Sequence, residues 1–244
     1  LGDTLEALSL PAEKTIFSLA NNHLGDHGEN GVLSTVHFLE KSGLRFFGLY
    51  RGGEVAPAIF THAELRLGLF GWTQWMNRDI LHGTARAYRL PDVFQPDWRE
   101  LKSRNGLHTL IAAPHWQLEF RHFPESQARQ WARQMAEAGF DLLIAHHPHV
   151  PSPVEKLGEA LCCYSLGNLV GVHLSWPTKI AAIVDAHVVN RGDDTGKIAM
   201  LHARPFFFHK IDGTQTVTAL HELPERLRKK VRRRWEMLYP PARE

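Results

Sequence analysis

Four times in the first two thirds of the chain a short apolar run stops at asparagine or histidine. Asn21-Asn22-His23 follows Thr15–Ala20, and His115-Trp116 follows Leu107–Pro114. His146-His147-Pro148-His149 follows Asp141–Ala145, and Gly167-Asn168 follows Leu161–Leu166. In open α/β sheets, ligands gather beyond the carboxyl ends of the strands. If these runs are strands of such a sheet, four remote segments deliver Asn and His to one edge. Few other folds would use the pattern.

The spacing between the runs fits that architecture. Asn30–Ser42 reads as a helix, with Val32, Leu33, Val36 and Leu39 at helical spacing and Gly43 as its stop. Glu125–Ala138 is a second, carrying Ala128, Trp131, Ala132, Met135 and Ala138 on one face before Gly139. Leu44–Tyr50, Glu64–Trp72 and His108–Ala113 read as strands. Later the pattern changes: Ile180–Val189 and Lys197–Phe208 are consecutive strands joined by a polar turn, Asn190–Gly196. Pro224–Leu238 follows as a basic helix with Leu227, Val231, Trp235 and Leu238 on one side. The expectation is a layered α/β fold with some antiparallel pairing at the end, in one domain over 1–244. Gln74–Arg104 is the least regular stretch, either an insertion over a site or a plain surface loop.

Composition removes several classes. At 43% hydrophobic and 22% charged residues the chain is ordinary globular material, neither disordered nor coiled coil. Its two cysteines, Cys162 and Cys163, are adjacent, which excludes a disulfide framework and suits small core residues. The net charge is +2, yet Arg226, Arg228, Lys229, Lys230, Arg232, Arg233 and Arg234 lie in one short stretch, so the body is acidic. That stretch reads either as a solvated helix face or as a surface for an anionic polymer, nucleic acid or membrane. No basic stripe with interleaved aromatics runs through the rest, so dedicated nucleic-acid binding is not expected. No apolar run reaches the roughly 18 residues of a membrane helix, and no signal peptide is seen. The chain opens at Leu1 rather than Met, and an upstream piece is expected. Location is left between cytoplasm and membrane surface.

The four clusters suit a metal centre. Neutral imidazole binds zinc, iron and related ions, and an Asn carbonyl oxygen coordinates or holds an oxyanion. A His-rich set with Asn and no thiolate points to hydrolytic metals rather than structural zinc. Two ions roughly 3.5–4 Å apart clamp the attacking and leaving oxygens of a phosphoester. Such a pair needs bridging carboxylates, and Asp26, Glu29 and Glu119 are near in sequence without one standing out. Each cluster also has a structural reading on its own: Asn21-Asn22-His23 as a turn, His115-Trp116 as a core edge, Gly167-Asn168 as a turn pair. Their shared position at strand ends argues for a site.

The motifs resemble a known family. Ser18–Gly31 (SLANNHLGDHGENG) resembles the CapA-type bacterial capsule-synthesis proteins linked to poly-γ-glutamate. Pro114–Phe120 (PHWQLEF) looks like their His-Trp-Gly-x-Glu-Tyr block, and Ala145–Glu155 (AHHPHVPSPVE) like their Gly-His-His-Pro-His-Val block. Cys163–Val170 (CYSLGNLV) looks like their Tyr-Ser-Leu-Gly-Asn-Phe block. The resemblance implies a calcineurin-like metallophosphatase fold, a four-layer α/β/β/α sandwich with a di-metal site, here without its first strands. It implies Asn22, His115, His147 and His149 as metal ligands, with His146 competing for the His-x-His pair, and His23 as the catalytic histidine. Trp116, Glu119 and Asn168 would line or support the pocket. Two divalent ions (Mn, Fe or Zn) would be the cofactors, and an anionic polymer or a phosphoester the substrate, within a capsule-synthesis assembly.

There are departures. The family's Gly-Asp strand end and Asn-Leu-Glu segment, both upstream of the Asn-Asn-His block, are missing, and Gly2-Asp3-Thr4 is not counted as the first. Ala145 and Gln117 stand where the family usually has Gly. The leading expectation is therefore a capsule or poly-γ-glutamate biosynthesis protein with a metal-dependent hydrolytic site. The alternatives are a non-catalytic accessory or polymer-binding module, which the missing acidic motifs favour, and a stand-alone metal-dependent phosphoesterase.

Overall fold

The computed structural model describes residues 11–80, 85–171, 175–211 and 214–240. Gly2-Asp3-Thr4 lies outside them. In chain order the elements are β1 (Ile16–Ser18), α1 (Gly28–Lys41), β2 (Arg45–Phe47), β3 (Leu49–Tyr50), β4 (Ala58–His62), β5 (Leu65–Thr73), β6 (Arg86–Ala87), α2 (Leu90–Val93) and α3 (Trp98–Arg104). They continue with β7 (Thr109–His115), α4 (Ser126–Ala138), β8 (Leu142–Ile144), β9 (Val154–Leu157), β10 (Ala160–Cys163), β11 (Ile180–Val188), β12 (Ile198–Ile211), β13 (Thr214–Ala219) and α5 (Glu225–Leu238).

The central sheet is six-stranded and mixed, in the order β4-β5-β7-β8-β10-β9. Its four inner strands are parallel, in registers such as Thr73↔His115, Ile111↔Leu142 and Leu161↔Leu142. The edge strands β4 and β9 run antiparallel to their neighbours. This is the metallophosphatase-like α/β type that the sequence leads one to expect. The inner strands are apolar because a parallel sheet is covered on its faces. Phe70, Trp72, Leu110, Ala112, Leu143 and Tyr164 form one core with Ala128, Ala132 and Met135 of α4. The alanines let the helix approach the sheet closely.

A smaller unit precedes the sheet. β1 and β2 pair in parallel, and α1 buries Val32, Val36 and Leu39 against Leu19 and Leu44. Leu33, expected on that face, is 44% exposed, because it lies one helical step past the stripe. Helix α1 stops where expected: Leu44 N–H reaches Leu39 O at 2.9 Å and Gly43 N–H reaches Glu40 O at 3.0 Å, a Schellman closure. Gly71 of β5 lets the β1 unit lie close. A Cβ there would stand 3.0 Å from Ser18 Oγ and 3.2 Å from Gly48 Cα. The run 44–50 is one strand in the sequence reading but is interrupted at Gly48.

The second sheet is antiparallel, β11-β12-β13. Ile180, Ala182 and Phe207 pack on Val231 and Trp235 of α5, so the helix's apolar side is consumed as its spacing predicts. This sheet joins the first near Gly167. Ala182 N–H donates to Leu166 O at 2.7 Å, and a Cβ on Gly167, at φ +72°, would come within 2.6 Å of Ile180 O. Among the described residues no helix is long and apolar enough to cross a membrane.

Candidate metal centre

Because β5, β7, β8 and β10 are parallel, their carboxyl ends share one edge, and each is followed by polar residues. The turn after β1 joins them. Asn21 makes the turn itself, its Oδ1 accepting His23 N–H at 2.9 Å. Asn22 is buried and points inward. Its Nδ2 donates to Asn77 Oδ1 at 3.0 Å, which fixes the amide so that Oδ1 faces His115 Nε2, also at 3.0 Å.

His115 ends β7, and His146 directly after β8 pairs with it as an isolated bridge. His147 follows with φ +98°, a conformation that turns its ring over the sheet edge. Its Nδ1 stands 3.1 Å from His115 Nε2, and the rings lie 4.8 Å apart. Trp75 meets the His147 ring edge-on at 4.9 Å. His149 Nδ1 is 2.8 Å from Asn168 Oδ1. The amide oxygen can only accept, so Nδ1 donates to it, and Nε2 lies 3.7 Å from Glu119 Oε1. Donor atoms of Glu119, His147 and His149 lie within 4.8 Å of one another.

Asn22, His115, His147, His149, Glu119 and Asn168 thus come together from β1, β7, β8 and β10. His146 is on the same loop, with its carbonyl accepting Trp116 N–H at 3.2 Å, and stands outside the Glu119–His147–His149 group. His23 is on the rim, its side chain 65% exposed, with Nδ1 2.7 Å from Asp26 Oδ2 and 3.1 Å from Asn77 Nδ2. Trp116 is fully buried behind these residues. Its Nε1 donates to Tyr164 O at 3.2 Å, and its ring stacks on Tyr164.

Gln117 has φ +67° and is buried. An L side chain is strained there, by roughly 1–3 kcal/mol. Three hydrogen bonds hold it: its N–H to Gln74 Oε1 (2.8 Å), its Nε2 to Tyr164 O (3.2 Å), and its Oε1 from Glu125 N–H (3.1 Å).

Sequence reasoning missed Gln74, Trp75 and Asn77, which fall in the stretch read as irregular. For Gln74 and Trp75 the signal was present, since they directly follow the apolar run of β5 just as the other clusters follow theirs.

Electrostatics keep the imidazoles neutral. Burial first, then the nearby imidazoles of His147, His146, His149 and His23, push His115 down to about 2. Burial and His149 lower His147 to about 4, with Glu119 opposing, and burial lowers His146 to about 4. Neutral imidazole is the ligand form.

The donor set fits a divalent cation. Asn22 Oδ1, His115 Nε2 and His147 Nδ1 are linked by steps of 3.0 and 3.1 Å. Two ligands at right angles around one ion, each bound at about 2.0–2.2 Å, would stand about 3 Å apart. At neutral pH the contact between His115 Nε2 and its two neighbours has few protons to share among several lone pairs, and a cation satisfies them all. A ligand set with His, amide oxygen and carboxylate suits Lewis-acid and hydrolytic chemistry.

The comparisons with known proteins agree with these motifs. Residues 5–172 match the family described as bacterial capsule synthesis protein PGA_cap. The chain is 28% identical over 184 residues to the PGA biosynthesis protein CapA of Bacillus subtilis (strain 168), covering 73% of this chain and 48% of that protein. It is 25% identical over 185 residues to the capsule biosynthesis protein CapA of Bacillus anthracis, covering 73% and 45%. The chain spans about half the length of these curated relatives.

Proposed function

The chain belongs to the bacterial capsule synthesis protein family, and from that premise we propose that it serves capsule or poly-γ-glutamate biosynthesis through a divalent-metal site of the hydrolytic type. The observation that carries this reading is the convergence of Asn22 Oδ1, His115 Nε2 and His147 Nδ1 at 3.0–3.1 Å, with His149 and Glu119 beside them. Asn22, His115, His147, His149 and Glu119 would hold the ions. A bound divalent ion supplies Lewis acidity, acidifying water and neutralising developing negative charge.

The chain's own residues do the rest. Asn77 aims the Asn22 amide, and Asn168 sets the His149 tautomer. His23, held at Nδ1 by Asp26, presents Nε2 at the rim and is positioned to give a proton to a leaving oxygen. Metal analysis of the purified protein, followed by phosphoesterase assay with added Mn²⁺, tests the reading. We expect bound divalent ion and a metal-dependent activity lost in His147→Ala. Neither ion nor activity would defeat the catalytic reading.

A second reading has one observation in its favour. In the described His/carboxylate cluster the only carboxylate is Glu119, whose side chain is 46% exposed. A non-catalytic module of a polymer-handling assembly would need no bridging carboxylate, and it would retain polymer production in His147→Ala cells.

A further inference from the structure

Helix α5 lies outside the family-matched residues 5–172 and has the densest charge in the chain. Its apolar side is spent on the second sheet, through Leu227, Val231 and Trp235, and Leu238 is buried as well. Its other side is cationic: Arg226, Lys229, Lys230, Arg232 and Arg233 are exposed. Of these, Lys229 is paired with Glu225 at 2.6 Å. No ion pair is found for the other four among the described residues. The helix borders a cavity of about 710 Å³ lined by Trp176, Lys229, Lys230, Arg233, Arg234 and Met237, with no acidic side chain. Lys230 Nζ sits 4.2 Å over the Trp176 ring. Arg234 Nε is buried there without a hydrogen-bond partner. Trp176 is tied toward the metal centre, since it opens the 3₁₀ turn Trp176–Lys179 and Thr178 O accepts from Asn168 Nδ2 at 3.4 Å.

We propose that this groove binds a polycarboxylate chain, a glutamate polymer, as a subsite beside the metal centre. The inference rests on the capsule reading above and adds a surface to it. Two features select the occupant, and two rivals fit less well. Arg226, outside the groove lining and one helical turn earlier, and Lys230 and Arg233 within it are spaced i, i+4, i+7, placing charges roughly 5–6 Å apart along a helix about 20 Å long. That is a track for a repeating anion, not a socket for one small ion. Met237, an exposed apolar side chain of the lining, gives a floor for methylene groups between the charges. A membrane is the poorer match, because an interfacial helix must bury its apolar face in lipid and that of α5 is already covered. Nucleic acid lacks aromatic partners here: among the lining residues Trp176 is the one aromatic, and Lys230 already covers it.

The test uses the full chain and a fluorescently labelled glutamate homopolymer of defined length, titrated at about 50 and about 200 mM salt. Single-stranded oligonucleotide of equal charge and phosphatidylglycerol vesicles are the competitors. We expect polymer binding that weakens with salt, falls about ten-fold or more in Lys230→Ala/Arg233→Ala, and falls further when Arg234→Gln is added. The metal content of these variants should equal that of the parent protein. Unchanged affinity in the triple variant overturns the groove, as does tighter binding to the oligonucleotide or the vesicles. The capsule reading is judged separately, by polymer output of a deletion strain carrying the parent chain. Output without groove-dependent binding defeats only this inference, and loss of output defeats the reading on which it rests.

Discussion

Acidifying the metal-free protein should unfold it well before its carboxylates titrate. The cause is the site. Burial and neighbouring imidazoles hold His147 at about 4 and His115 at about 2, against an ordinary value of 6.5. In the unfolded chain both protonate near 6.5. Between pH 6.5 and 4 the unfolded state therefore binds more protons than the native state, and stability falls as pH falls. Stability from these groups is complete above 6.5 and is lost on the way down. For His147, moving from pH 7.5 to 5 costs about 2 kcal/mol. His115 and His146, held at about 2 and about 4, add similar amounts, reduced because neither ring is fully shielded, for about 3–6 kcal/mol together. Against a total of about 5–15 kcal/mol that is a large share. Urea unfolding in chelator at pH 7.5, 6.5, 5.5 and 5.0, in steps fine enough to see a midpoint move by about 1 M, measures it. His147→Gln should remove about a third of the slope. A flat midpoint from pH 7.5 to 5, or a slope indifferent to His147→Gln, would show that these imidazoles are not held neutral by the fold.

Other outcomes follow from single contacts. Asn168→Ala should cost about 10–100-fold in divalent-ion affinity by calorimetry, with little change in thermal midpoint, because it frees the His149 tautomer. At position 117 glycine should be more stable than alanine by about 1 kcal/mol, the reverse of the usual order, because the backbone sits at φ +67°. Both should be less stable than the parent, which keeps the bonds to Glu125 N–H and Tyr164 O. Met135→Ala should cost about 2–5 kcal/mol in chemical unfolding, since Met135 is wholly buried between α4 and the central sheet.

What could be read in the sequence was what local pattern controls. The helices α1 and α4 and the parallel inner strands carry period-specific apolar runs, and their ends fell close to the expected residues. The strands not foreseen are those whose pairing supplies what the run lacks. β4 turns into β5 through Ala63-Glu64, both at positive φ, where a hairpin normally signals with Asn-Gly. β9 is a short edge strand made by pairing with β10, and β13 by pairing with β12. The site had the same division. Asn22, His115 and His147 follow apolar runs and could be anticipated. Asn77 aims the Asn22 amide from a stretch without periodicity, and only the fold reveals that partnership.

Backbone strain is concentrated at the same edge. Among the described residues, six non-glycine positions have positive φ. Ala63 and Glu64 form the hairpin turn, whereas Gln117, Phe120, His147 and His149 lie in the two loops that carry the imidazoles and Glu119. Each costs of order 1–3 kcal/mol and persists only where its surroundings over-determine it. Hydrogen bonding does so for Gln117, whose N–H and side chain are all engaged, and for Phe120, whose N–H donates to Pro148 O at 2.8 Å. For His147 the surroundings are Trp75 and a second imidazole, which are weak restraints for a strained residue. His147 is among the residues that would hold a divalent ion, and binding one would restrain it further. Replacing His147 by Gly should therefore stabilise the metal-free backbone relative to His147→Ala while abolishing ion-dependent stabilisation in both. Thermal midpoints with and without added Mn²⁺ decide it. An Mn²⁺ shift that survives in either variant would mean that His147 is strained for a reason other than ligand binding.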